Sequence, residues 1–78
     1  MEIENKLAEI LTILLGQEIS SDSNVSMQNC EIWDSMKHIE IITTVEEEFE
    51  ISLPIEEIPK LTSFDLLAAA IKKCMERS

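Results

Sequence analysis

The residues best able to do chemistry gather in one short stretch, Trp33-Asp34-Ser35-Met36, with His38 one helical turn beyond the serine. A serine with a histidine nearby invites comparison with a hydrolase. That chemistry needs a base oriented by a third group and an oxyanion hole, and consecutive residues on one helix rarely supply either. His38 is therefore expected to line the mouth of the fold or cap the helix, and a lone histidine builds no metal site. Asp22 and Asn24 hint at a calcium loop, but the glycine and the closing glutamate that such a loop requires are missing in register. Cys30 and Cys74 have neither a CxxC spacing nor histidine partners, so two free thiols are expected. What remains is a hydroxyl at the start of a predicted helix, beside backbone amides whose partial positive charge favours an anion. Trp33 beside it is either a partner contact or a loop anchor on the core, the anchor being favoured.

The elements that must position Ser35 follow from hydrophobic spacing. Ile3, Leu7, Ile10, Leu11 and Leu14 recur at helical intervals and predict a first helix that Gly16 ends. A long polar loop follows from Gln17 to Trp33, with Val25, Met27, Cys30 and Ile32 spaced to pin it to the core. From Asp34, a natural cap, the helical pattern returns: His38, Ile41, Ile42, Val45 and Phe49 share one face, and Met36, Glu40, Thr43 and Glu47 lie opposite. This second helix should fade after Phe49 on the approach to Pro54. Pro54 is expected to open a short third helix that Pro59 keeps brief. Thr62 and Asp65 suggest a capping box ahead of a last helix with Phe64, Leu67, Ile71 and Cys74 on one stripe. Lys72, Lys73 and Arg77 fall at its negative end. The expected fold is all-α, a four-helix bundle with three longer helices, a short third one and a long loop between the first two.

Seventy-eight residues make one domain, 1–78, with a modest core that buries about 60% of the unfolded surface. At 45% hydrophobic residues the chain is too apolar to be disordered, and its apolar runs are too short to span a membrane. Met1, Glu2, Ile3 and Glu4 lack the basic start of a secretory signal, so the cytoplasm is the expected location. Sixteen acids against six bases give a net charge of −10, and between Glu31 and Glu57 nine acids face only Lys37. Such a surface repels nucleic acid and anionic membrane, favours partners with Lys and Arg patches, and suits a monomer.

The stretch from Asp34 to Ile58 resembles the acyl carrier proteins: Asp-Ser-Met, then Ile39, Glu40, Ile42, Val45, the Glu46-Glu47-Glu48-Phe49 run and Leu53-Pro54. The first helix, the long loop and Thr62 through Ile71 fit the same layout, so the resemblance covers nearly the whole chain. It implies that Ser35 receives a 4'-phosphopantetheine arm from coenzyme A by way of a phosphopantetheinyl transferase, with Asp34 assisting that enzyme and its magnesium. The arm's thiol then carries acyl groups as thioesters, so neither cysteine is needed for function, and the chain is a carrier rather than an enzyme. By the same resemblance Met36, Glu40, Thr43, Glu46 and Glu47 form the face read by acyl-loading and acyl-transfer enzymes with basic docking patches. An apolar cargo would need shelter, and a loosely packed bundle can open a pocket between its helices. Ile42, Val45, Ile58, Leu61 and Leu67 are candidates to line it, plain core packing being an equal reading for each.

Three positions depart from the usual fatty-acid pattern: Trp33 replaces a small residue, Lys37 an acid, and His38 a small polar residue. The tryptophan is similar to discrete carriers of specialised or surface-polymer pathways, and Met36 to aminoacyl carriers such as those loaded with D-alanine. A fatty acid, polyketide or related pathway is the leading expectation, and a D-alanyl-like carrier the alternative. From a different class, a noncovalent acidic helical adaptor would use the same face and leave Ser35 bare.

Overall fold

The first helix, α1 (Glu2–Leu15), buries Leu7, Ala8, Ile10, Leu11 and Leu15. The computed structural model describes residues 2–20 and 25–77; Asp22 and Asn24, weighed for calcium, lie outside this set. Gly16 ends α1 as expected: at φ 67° it takes the left-handed conformation that glycine adopts without a Cβ penalty, and its N–H reaches the Thr12 carbonyl at 3.0 Å.

The loop after α1 is tied down along its length. Thr12 Oγ1 accepts from the Ile19 N–H at 3.0 Å, and Ile19, Val25, Cys30 and Trp33 are buried, with Met27 partly so. Ile32 is 44% exposed and does not act as a pin, contrary to the spacing argument. An antiparallel bridge between Ser26 and Ser63 anchors the loop to the last helix: Met27 N–H donates to the Thr62 carbonyl at 2.8 Å, and Phe64 N–H to the Val25 carbonyl at 2.9 Å.

The second helix, α2 (Ser35–Phe49), starts where expected, with His38, Ile41, Ile42 and Val45 buried. Its end has a different cause from the one the sequence suggested. Glu50 adopts a left-handed conformation (φ 56°, ψ 49°), and the N–H groups of Glu50 and Ile51 both reach the Glu46 carbonyl, closing the helix four residues before Pro54 matters. Leu53 N–H then donates to Glu46 Oε2 at 2.8 Å, fixing the exit direction of the chain.

The short third helix is present, with its start later than Pro54 suggested. Pro54 opens no α-helix; 54–61 is a succession of tight turns, and only Ile58–Lys60 is helical, of the 3-10 type with Pro59 in its first turn. Lys60 N–H donates to the Glu57 carbonyl (2.8 Å) and Leu61 N–H to that of Ile58 (3.2 Å). Pro59 has no N–H to give an α-type ladder, so the three-residue spacing wins.

The last helix, α3 (Phe64–Arg77), buries Phe64, Leu67, Ala68 and Ile71, with Cys74 half-buried. Its cap sits one residue later than read: Ser63 Oγ accepts from the Leu66 N–H (3.2 Å), because the Thr62 carbonyl is committed to the bridge with Met27. α1 packs against both α2 and α3, and ion pairs reinforce each contact: Lys6 to Glu48 at 3.5 Å, and Lys72 to Glu4. Three α-helices and a 3-10 turn thus form an all-helical bundle, with no strand among the described residues. Both cysteines are free thiols, Cys30 buried and Cys74 half-buried.

Candidate functional site

Ser35 is the first residue of α2 and is exposed. Its position depends on Asp34, which holds an extended backbone (φ −97°, ψ −171°) and accepts from the Lys37 N–H through Oδ1 at 2.9 Å. The capping bond satisfies one of the amides left open at the start of the helix and stops the helix from running backwards into the loop. The Asp34 carbonyl takes the His38 N–H at 2.8 Å, so the first turn is closed on both sides of the serine. The serine is left exposed at the positive end of a helix, a setting that suits a phosphate ester.

The residues that flank the serine in sequence include a buried pair of rings. Trp33, 1% exposed, is the loop anchor that the sequence favoured over a partner contact. Its indole Nε1–H donates to His38 Nδ1 at 3.0 Å, the ring centroids being 6.1 Å apart with a 25° interplanar angle. On the other side of the imidazole, His38 Nε2 lies 2.7 Å from the Ile58 carbonyl oxygen. A carbonyl only accepts and an indole N–H only donates, so both bonds exist together when His38 is neutral with its proton on Nε2. The histidine neither lines the mouth of the bundle nor caps the helix; it ties the loop before Ser35 to the 3-10 turn. With both ring nitrogens engaged inside the protein, it has no lone pair to offer the Ser35 hydroxyl, which removes the geometric basis of a Ser-His nucleophile.

On the outer side of α2, Met36 is 82% and Ile39 66% exposed, and with Asp34, Lys37, Glu40, Thr43 and Thr44 they line a shallow concavity next to Ser35. Of the expected docking residues, the structure brings Met36, Glu40 and Thr43 together here, Glu40 being paired with Lys37 Nζ at 2.7 Å. Glu47 is exposed farther along the helix. Glu46 differs: it is half-buried and commits one carboxylate oxygen to the Leu53 amide. Ile39 is the member that side-chain sorting overlooked. Its signal was an apolar residue three positions after Met36 and four before Thr43, off the core face and on theirs.

The five residues expected to line a cargo pocket all belong to the closed core. Ile42, Val45, Leu61 and Leu67 are buried, and Ile58 packs against them partly exposed.

No protein-family model matches the sequence. Curated relatives do. The chain is 28% identical over 57 residues to the D-alanyl carrier protein of Lactobacillus delbrueckii subsp. bulgaricus, a match covering 73% of this chain and 71% of the relative. The D-alanyl carrier proteins of Leuconostoc citreum and Leuconostoc mesenteroides match at 28% identity, over 73% of each chain. The resemblance to carrier proteins read from the motif around Ser35 is therefore met by relatives named as carriers. Their names agree with the aminoacyl alternative and not with the fatty acid or polyketide reading that led the sequence analysis.

Proposed function

We propose that this protein is a carrier whose Ser35 holds a 4'-phosphopantetheine arm, and that its cargo is an aminoacyl group of the D-alanyl kind rather than a fatty acyl chain. The observation that carries the reading is the exposed serine at the first residue of α2, held there by the Asp34 cap. Attachment requires Ser35 Oγ to bond to the phosphorus of coenzyme A's pantetheine phosphate. The pyrophosphate bond breaks, adenosine 3',5'-bisphosphate leaves, and the hydroxyl proton passes to a base of the transferase. Once attached, the arm supplies the thiol on which the cargo rides.

The residues of this chain present, orient and advertise that serine. Asp34 fixes the turn, and the helix amides favour the phosphate. The acidic side of α2 attracts transferase and loading enzymes that display Lys and Arg. The cytoplasm, where coenzyme A and such enzymes meet, is the compartment this reading calls for. No helix among the described residues is long and apolar enough to cross a membrane.

Cargo class is tested on the arm-bearing protein. It is offered to an adenylating D-alanine ligase with ATP and D-alanine and, separately, to an acyl-chain synthetase with ATP and octanoate, and hydroxylamine-labile mass is then measured. The reading expects a labile D-alanyl adduct that Ser35→Ala lacks. Octanoyl loading without D-alanyl loading would overturn the cargo assignment while leaving the carrier reading intact.

A further inference from the structure

The ring pair under Ser35 answers a question that the exposed face of α2 leaves open: where the cargo sits. Trp33 lies two residues before the serine and His38 three after it, and both rings are buried and bonded to each other, so the core on either side of the attachment point in sequence is occupied. The indole is among the largest fully buried side chains of the protein, and His38 is 6% exposed. The two are joined by the 3.0 Å bond to Nδ1, and the imidazole is joined in turn to the Ile58 carbonyl at 2.7 Å. Ile58 stands at the start of the 3-10 turn and packs on the core that contains Ile42, Val45, Leu61 and Leu67, so the bond from His38 holds that turn against α2.

We propose that the Trp33–His38–Ile58 bridge is the specificity device of this carrier: it plugs the core beneath Ser35 and confines the protein to short cargo carried outside the helices. This rests on the arm being attached at Ser35. Admitting a long acyl chain requires more than the sliding of aliphatic side chains. The indole must leave its site, parting its N–H from His38 Nδ1, and separating the 3-10 turn from α2 parts the Ile58 carbonyl from His38 Nε2, in surroundings where an unmade hydrogen bond is costly. A short polar group such as an aminoacyl unit gains nothing from entering and meets no such demand.

The test uses the full chain loaded by a broad-specificity transferase from acetyl-coenzyme A or octanoyl-coenzyme A, with intact mass confirming loading before any melt is read. Absence of a mass gain in both samples would count against Ser35 as the attachment site and is recognised at that stage. With loading confirmed, the acetyl and octanoyl forms of the wild type are expected to melt at the same temperature, because the longer chain finds no shelter. In Trp33→Leu, and in the milder His38→Thr should the first fail to fold, the octanoyl form is expected to melt several degrees above the acetyl form as apolar surface is buried. A wild type stabilised by octanoyl would overturn the proposal. So would folded variants in which the two forms still melt together.

Discussion

At the scale of single residues, the bonds around Ser35 differ in what their loss should cost. Asp34→Ala removes the Oδ1 acceptor of the Lys37 amide and should lower stability by about 1 kcal/mol in denaturant titration, the usual worth of an N-cap. Trp33→Ala should cost about 3 to 5 kcal/mol, since it empties a fully buried site and strands His38 Nδ1. For a domain of this size that is a large part of the whole stability. Phe49 falls between. Periodicity placed it on the core face, but the ring is only half-buried, with the Lys6 ammonium 5.9 Å from its centroid. Phe49→Ala should therefore cost about 2 kcal/mol, less than a ring enclosed on all sides. The Asp34 cap was legible because it acts three residues away. The Trp33–His38 bond was not, because its third member is a backbone carbonyl twenty residues on, and a carbonyl leaves no mark in the choice of side chain.

Elements that obey local rules match their sequence closely. α1 stops at the only glycine, α2 begins after its aspartate, and the buried stripe of α3 is the one that spacing marked. Errors arose where a distant partner decides. Thr62 looked like a cap until its carbonyl was claimed by Met27, and the end of α2 was set by a left-handed Glu50 that no propensity favours. The junction of α1 with α3 adds a pH-dependent term. Hydrogen bonding to the Lys72 ammonium is the largest cause holding the Glu4 carboxyl below its ordinary range. A carboxyl depressed on folding adds stability that is present above its unfolded value and lost as the pH falls through the folded one. Glu4→Gln should thus flatten the acid side of the melting-temperature profile, by a small margin because the ion pair lies at the surface where solvent screens it, and high salt should shrink the difference.

For the whole molecule, charge is the dominant property, and it was fully legible in composition. With a net charge of −10 the folded state repels itself, so raising sodium chloride from low to physiological concentration should raise the melting temperature. The same field steers partners. Glu47→Lys, an exposed change on α2, should slow transfer of the arm several-fold at low ionic strength and much less at high salt, with little effect on stability. Equal rates at low salt would remove the docking role from that face. The account as a whole turns on Ser35, and intact mass spectrometry tests it most directly. Wild type and Ser35→Ala are incubated with coenzyme A, magnesium and a broad-specificity phosphopantetheinyl transferase. The wild type is expected to gain one phosphopantetheinyl group and the variant none. An unmodified wild type, or the same gain in Ser35→Ala, would contradict it, the former favouring an adaptor that docks through the acidic face alone.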